Sequence, residues 1–235
     1  DAVEPEWLIV QSRAMERWLT QGLATHNGIV ANARFPFPAQ AIDDLLRALG
    51  LAPHTRLRFG PRRLTWAVAR RLVEPIDPAL GPLAAYLAGD PDRRGRLPLA
   101  RRVAEVLDDY VAHRPDMVLA WQAGDDAYAS RHDVPWSPDD TWQPALWRML
   151  VDDLGDAHLA TLAARLAARL ADGRAAARGL PARVSIFAPT TLPPLHVRIF
   201  RALARRIEVH AFVATPSSAR WSAVARWSSG APRPS

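Results

Sequence analysis

Short apolar runs and helical apolar periodicities follow one another along this chain and predict an order of elements. Four short apolar or alternating segments bounded by Ser, Gly or Pro are typical of strands. They span 7–12, 28–33, 183–189 and 207–214. Ser12 can cap a helix that begins at Arg13, with an apolar face formed by Met15, Trp18, Leu19 and Leu23. Pro38 suits the start of a second helix, which Gly50 ends.

The middle of the chain, from Gly60 to about Asp172, has a helical pattern almost throughout. One helix opens at Pro61, and the others are predicted at 80–87, 97–113, 142–153 and 159–170. The Arg114-Pro115-Asp116 sequence is expected to end the helix over 97–113. Residues 124–140 are rich in Asp, Ser and Pro, which indicates a loop. A final helix at 195–204 separates the last two strands.

This order predicts an α/β fold, a parallel sheet with an inserted helical subdomain. We expect an α/β core over 1–59 and 180–227, an inserted helical subdomain over 60–179, and a disordered tail over 228–235. The four strands should share one largely parallel sheet, because two separate two-stranded sheets would bury too little to be stable.

Composition narrows the chemistry that this chain can carry out. All 30 basic residues are arginine, the formal charge is +6, and there is no cysteine. Without lysine the chain has neither a P-loop lysine nor a Schiff-base lysine. Without cysteine it has no disulfide, and a reducing compartment fits. Arginine remains a good ligand for phosphate and for guanine edges.

Other titratable groups give no sign of a metal or catalytic site. The histidines at 113, 158, 196 and 210 lack the spacing of metal ligands. Two acidic pairs, Asp125-Asp126 and Asp139-Asp140, fit loop solvation and capping better than acid–base chemistry. The apolar runs are too short to cross a membrane, and the Asp1-Ala2-Val3 start predicts that the chain is a fragment.

A series of short motifs resembles the amino-terminal part of the RecC family, the gamma subunits of exodeoxyribonuclease V. The motifs are Val10-Gln11-Ser12, Trp18-Leu19, Gly28-Ile29, Phe35-Pro36, Arg114-Pro115-Asp116, Trp142-Gln143, Leu146-Trp147, Leu192-Pro193-Pro194 and Ile207-Glu208-Val209-His210. None is specific alone, but their order and spacing from about Glu6 to Trp221 carry the resemblance.

The resemblance implies an inactivated helicase motor domain. Where a RecB-type helicase has its magnesium-binding acidic pair, this chain has Ala188-Pro189, and Ala214-Thr215-Pro216 replaces a Gly-Asp end. It implies a non-catalytic DNA-binding and scaffold subunit, acting with RecB and RecD in the cytoplasm on single-stranded and double-stranded DNA ends. ATP and Mg²⁺ would be used by those partner subunits, not by this chain. Two alternatives stay open: a fragment of an active ATP-dependent DNA helicase, and a protein-only scaffold.

Candidate DNA-binding residues follow a predicted strand. Gln11, Ser12, Arg13 and Arg17 lie just beyond the carboxyl end of 7–12, where open α/β sheets bind ligands. Without the resemblance, a capped helix with two solvated arginines is the better explanation of these residues, and the resemblance reverses that preference. The resemblance implies that this region scans single-stranded DNA for a Chi-type sequence during double-strand break repair. Ala14 departs from the glycine that the family usually has there, so we expect a tighter or more helical turn.

Two further candidates stand apart in sequence. Phe37, between two prolines, could stack on a base or fix a strand-to-helix turn in the core. Asp108, Asp109 and Arg114 could contact base edges and phosphate, or could form an exposed helix end with a surface ion pair.

Overall fold

A computed structural model describes residues 5–51, 59–90, 94–127, 137–171 and 180–214. The strands are β1 (Glu6–Ile9), β2 (Ala33–Arg34), β3 (Arg183–Phe187) and β4 (Glu208–Phe212). The helices are α1 (Arg13–Asn27), α2 (Pro38–Ala48), α3 (Pro61–Arg71), α4 (Gly81–Ala88), α5 (Arg96–His113), α6 (Pro115–Gln122), α7 (Trp142–Leu154), α8 (Leu159–Ala171) and α9 (Pro194–Leu203). Single 3₁₀ turns lie at Pro78–Leu80 and Pro138–Asp140.

The four strands form one parallel sheet in the order β2-β1-β3-β4, so the single-sheet prediction is confirmed. Trp7 of β1 pairs with Arg34 on one side and with Val184 on the other. Three successive β3 residues, Val184, Ser185 and Ile186, are buried, as expected of an inner strand covered on both faces. Seven described helices separate β2 from β3, which gives the predicted α/β fold with inserted helices.

The strand predicted over 28–33 is wrong for most of its length. Helix α1 continues to Asn27, and Gly28 ends it with a positive φ of 78°. Asn32 also has a positive φ, and Ile29 is 73% exposed. Two left-handed residues cannot belong to a regular strand, so only Ala33 and Arg34 pair with β1.

The apolar face predicted for α1 is only partly buried. Leu19 is buried, but Trp18 is 61% exposed. The Trp18 ring lies at the border of the apolar stripe, tilted against Phe187 of β3 with 5.8 Å between centroids. One side of the indole therefore contacts the sheet while the other faces solvent.

The helix over 115–122 was not predicted. Arg114-Pro115 does end α5, but Pro115 also occupies the first turn of α6, where its missing N–H costs nothing. The result is two consecutive helices joined at Arg114, whose amide donates to the Tyr110 carbonyl at 2.8 Å.

Contacts divide the chain into two compact units. Unit 1 comprises Asp1–Pro38, Pro181–Thr191 and Val209–Ser235, and unit 2 comprises Ala39–Leu180 and Leu192–Glu208. The domain boundaries expected from the sequence, at 59/60 and 179/180, stay a prediction, and the tail at 228–235 lies outside the described residues.

The core of unit 2 is built from helix pairs: α3 on α5, α6 on α7, and α8 on α9. Trp121 and Trp147 are its largest fully buried side chains, whereas Trp142 is half-buried. Arg71 ties α3 to α7 through two hydrogen bonds to the Asp153 carboxylate, at 3.0 and 2.6 Å. No helix in the described ranges is both long and apolar enough to cross a bilayer.

Candidate nucleic-acid interface

The carboxyl ends of three strands meet at one edge of the sheet in unit 1, since parallel strands end on the same side. β1 runs into Gln11 and Ser12, β2 into Phe37, and β3 into Thr190. Val10 donates its amide to the Pro36 carbonyl at 3.2 Å, which holds the first two ends together. The predicted residues Gln11, Ser12 and Phe37 therefore lie along a shared edge.

Gln11 is bound to the loop that follows β3. Its Nε2 donates to the Thr191 carbonyl at 3.0 Å, and its Oε1 accepts from the Thr190 hydroxyl at 2.7 Å. Ala188, at the start of that loop, has a positive φ of 42° and donates its amide to the Phe212 carbonyl at 2.7 Å. Both polar groups of Gln11 thus join two strand ends, and its side chain has a positioning role at this edge.

Ser12 and Arg13 begin α1. The Ser12 hydroxyl accepts from the Met15 amide at 3.1 Å, which is the predicted N-cap. Ala14, the departure from the family glycine, lies in the first helical turn. The Arg13 guanidinium pairs with Glu16 at 2.5 Å and lies over the Phe37 ring, 5.2 Å from its centroid.

Phe37 is half-buried, with a cation against its ring and not an apolar shell all around. Its flanking residues Pro36 and Pro38 place it between the end of β2 and the start of α2. The ring thus fixes the turn and also remains partly accessible at the edge. Its two interpretations from the sequence are compatible in this arrangement.

Arg17 lies one helical turn beyond Arg13, so the two guanidinium groups share a face of α1. Arg17 is exposed and makes no hydrogen bond or ion pair with any residue that the structure describes. The exposed Trp18 ring is its neighbour in sequence. This face offers one unpaired cation and a second cation held over an aromatic ring.

Asp108, Asp109 and Arg114 belong to unit 2, at the carboxyl end of α5. Asp108 and Asp109 retain solvent access in the last two turns, and Arg114 is the capping residue that joins α5 to α6. Partial burial, and then the charge of Asp109, raise the pKa of the Asp108 carboxyl above its ordinary value of 3.8. The three residues form one helix end, and Asp108 is held in an environment that disfavours its charge.

Asp108 also lines a cavity of about 360 Å³ within unit 2. Its wall is mainly apolar, with Ile42, Leu64 and Trp147. The polar side chains on it are Asp43, Asp108, His158 and His196. The buried indole Nε1 of Trp147 has no hydrogen-bond partner among the residues that the structure describes. A mainly apolar cavity with a few converging polar groups is typical of a ligand site.

The sequence did not indicate this cavity. Its polar residues come from α2, α5, α9 and the residue before α8, so their spacing in sequence carries no signal. Asp43 alone has a weak local signal, because it follows buried Ile42 on an amphipathic helix. Only the packing of the helices brings the four side chains to one wall.

Metal chemistry has no visible basis in the described ranges. They contain no group of three or more His, Asp or Glu side chains placed to hold an ion. At the carboxyl end of β3, where the resemblance would place a magnesium-binding acidic pair, the chain has Ala188 and Pro189.

The four-stranded parallel sheet, with its connections through helices and a large helical insertion before the third strand, is an α/β fold consistent with a helicase-like domain. The chain belongs to the RecC family: the family model "RecC, N-terminal domain" matches residues 1–231.

Curated relatives agree with this assignment. The chain is 33% identical over 231 residues to the RecBCD enzyme subunit RecC of Escherichia coli, covering 94% of this chain and 20% of that protein. The subunits of the same name from Haemophilus influenzae and Mycobacterium tuberculosis are 29% and 31% identical, covering 94% and 96% of this chain and 21% of each relative. The chain thus spans about a fifth of the length of these relatives.

Proposed function

We propose that this chain is the DNA-binding amino-terminal part of a RecC subunit, which acts with RecB and RecD in an exodeoxyribonuclease V complex. In that complex it helps to split duplex ends and scans the single strand for a Chi-type sequence, in double-strand break repair by homologous recombination. The observation that carries the proposal is the Arg13 and Arg17 face beside the Phe37 ring at the carboxyl edge of the sheet.

This edge has the chemistry that single-stranded DNA requires. Guanidinium groups bind the phosphates, and accessible aromatic rings stack on bases without demanding a sequence. Arg13 and Arg17 lie on an exposed helix face, and the Phe37 and Trp18 rings are partly or largely accessible. Gln11 and Ser12 support the proposal indirectly, because they fix the loop and the helix start that present those side chains.

Sequence discrimination would come from the helix end in unit 2. Asp108 and Asp109 can accept from the amino group of cytosine, and Arg114 can bind guanine or phosphate. Burial, and then the charge of Asp109, raise the pKa of Asp108, so a hydrogen-bond donor from a base would stabilise its ionised carboxylate.

The test replaces Arg13, Arg17 and Arg114 by alanine in the whole complex. Each lost phosphate contact to a single strand lowers the slope of log affinity against log salt by about 0.7, so the triple variant should lose about 2 from that slope. Pausing at the recognition sequence should also change. Arg47→Ala is a matched control, because Arg47 is an exposed arginine with a similar ion pair, to Asp44 at 2.6 Å.

Two results would refute the DNA-binding assignment. One is a triple variant that binds, translocates and pauses like the parent at every salt concentration. The other is an equal loss of affinity in Arg47→Ala, which would mean that net charge alone is responsible.

The same proposal gives this chain no catalytic part of its own. It rests on the complete absence of lysine and on Ala188-Pro189 at the end of β3. ATP and Mg²⁺ would serve RecB and RecD instead. Purified chain with Mg²⁺, ATP and a DNA end should release no phosphate above a buffer control. Turnover that follows the protein through repurification would favour an active helicase.

A further inference from the structure

A groove of about 470 Å³ runs along unit 2 between α6, α8 and α9. Its apolar floor includes Leu119 of α6 and Leu195 of α9. Alanines complete that floor, at positions 160, 163, 164, 167 and 202. None of the DNA-binding candidates lines it.

Helix α8 gives the groove a floor without large side chains, because its leucines and its alanines lie on different faces. Leu162, Leu166 and Leu170 are buried in the core of the unit. The neighbouring face, with Ala160, Ala164 and Ala167, carries only methyl groups and lines the groove. Since the distance between packed helices depends on the side chains at the contact, this face permits another helix to approach closely.

Arginines form one rim of the groove. Arg198, Arg201 and Arg205 follow one another on α9 and in the turn after it, spaced by three and four residues. Arg198 has an acidic neighbour, Asp116, at 3.7 Å. Arg201 and Arg205 are exposed and have no ion pair with any residue in the described ranges. The rim therefore has an excess of positive charge that the described residues of the unit do not neutralise.

We propose that this groove binds an amphipathic helix of a partner subunit, with apolar residues on the alanine floor and Asp or Glu opposite Arg201 and Arg205. Two turns of such a helix, about 10 Å, match the stretch from Arg198 to Arg205. Recognition of an apolar helix face by a groove is a recurrent mode of protein binding. The inference rests on the proposed function only in assuming that the chain works beside other subunits.

The lining favours a protein helix over a nucleic acid. Phosphates would neutralise the arginines but would leave the alanine and leucine floor without an apolar partner. A helix with an acidic edge satisfies both parts of the groove. Arginine is also enriched at interfaces between chains, so a helix of a partner subunit is a chemically suitable occupant.

Photo-crosslinking tests which molecule occupies the groove. It is done in a RecC subunit of the length of the curated relatives, assembled with its partner subunits. Benzoylphenylalanine in place of Ala164, which is exposed and lines the groove, should cross-link to a partner subunit. Mass spectrometry should place the adduct in a peptide with apolar residues every three or four positions and at least two acidic residues. The control is the same substitution at Ala168, which is exposed on the same helix but does not line the groove.

Three outcomes would overturn the proposal: an adduct with DNA, an adduct within the same polypeptide, or a yield no greater than at Ala168. Any of them would leave the DNA-binding proposal intact, because the groove includes none of its residues. Conversely, unchanged DNA binding in the Arg13, Arg17 and Arg114 variant would refute the proposed function without affecting the cross-link.

Charge reversal tests the rim independently. Arg201→Glu with Arg205→Glu should slow association with the partner subunit about tenfold at low salt, and the difference should shrink as salt screens the charges. Arg169→Glu, on the exposed side of α8 and outside the groove, is the control and should change association less than twofold. Equal slowing by both variants, or none by the double variant, would contradict an acidic occupant.

Discussion

At the scale of single residues, His158 is the most strongly perturbed titratable group among the described residues. It is fully buried between the Trp147 and Phe59 rings, whose centroids lie 4.9 and 5.5 Å from its own. Its Nε2 lies 2.7 Å from Gln122 Oε1 and donates to it, while Nδ1 accepts from the Thr161 amide at 3.4 Å. Both nitrogens are used in the neutral form, and burial lowers the pKa of His158 to about 4.

This pKa predicts an acid-sensitive fold. Below the ordinary pKa of 6.5 the unfolded chain binds a proton at His158 that the folded chain refuses, so the free energy of unfolding falls between pH 6.5 and 4. The loss should be on the order of 3 kcal/mol. Urea unfolding of the chain at several pH values measures it.

The matched variants are His158→Gln and His26→Gln, since His26 is exposed on α1. His158→Gln should be less stable at pH 7 but should flatten the fall toward pH 4. His26→Gln should keep the parent's slope. A His158→Gln variant with an unchanged slope would show that other groups cause the acid sensitivity.

The ionisation of Asp108 affects stability in the opposite pH direction from that of His158. The raised pKa of Asp108 means that the folded state favours the protonated carboxyl, so ionisation as pH rises destabilises the fold. Asp108→Asn should therefore raise the melting temperature at pH 7, and the gain should vanish below about pH 4, the ordinary pKa range of aspartate. Asp109→Asn removes only the second cause and should give a smaller gain. An Asp108→Asn variant that is less stable than the parent at pH 7 would contradict this interpretation of Asp108.

At the scale of elements, the start of α1 depends on one side chain. The Ser12 hydroxyl accepts from the Met15 amide at 3.1 Å, so Ser12→Ala leaves an unpaired donor in the first turn. We expect Ser12→Ala to lower the free energy of unfolding by about 1 kcal/mol. Ser12→Asn should keep most of the stability that the cap provides, because asparagine is also a good N-cap. Chemical denaturation measures both.

Thr25→Ala is the control within the same helix. The Thr25 hydroxyl bonds to the Gln21 carbonyl inside α1 and caps nothing. It should therefore leave stability nearly unchanged. If Thr25→Ala lowered the free energy of unfolding as much as Ser12→Ala, the N-cap would contribute no more than an ordinary hydrogen bond within the helix.

At the scale of the whole molecule, the sheet joins segments that are nearly 180 residues apart in sequence. Ile186 of β3 is opposite Ile9 of β1, and both are buried. Glu6 and Arg183 close the other end of the same strand pair with a hydrogen bond of 2.7 Å. The fold of unit 1 thus depends on contacts between residues 6–9 and 183–187, which are far apart in sequence.

Truncation of one inner side chain should therefore cost far more than truncation at the edge. Ile186→Ala should lower the free energy of unfolding by about 2–5 kcal/mol. Phe212→Ala, on the edge strand β4 and 52% exposed, should cost about 1 kcal/mol through its contact with Phe187. Equal costs would indicate that a further element covers β4.

The sequence by itself determined most helices, the capping of α1 and the strand character of β1, β3 and β4. These depend on hydrogen bonds and apolar spacing within a few residues: Ser12 and Met15, Pro38 and Gly50, or the period of Leu64, Val68 and Leu72. The same local reasoning failed at 28–33, where an apolar run is the turn after α1, and at 115–122, where Pro115 both ends one helix and starts another. A short signal of this kind is compatible with two structures, and tertiary contacts select between them.

Only the tertiary structure decided the strand order β2-β1-β3-β4, the role of Gln11 as a link to Thr190 and Thr191, and the position of Arg13 over Phe37. The cavity beside Asp108 and the groove rimmed by Arg201 and Arg205 also exist only because of tertiary packing. Each of these features joins residues from separate elements, so its geometry depends on how apolar faces pack together. A linear pattern shows which faces are apolar, but the partner that buries each face is chosen by packing across the whole unit.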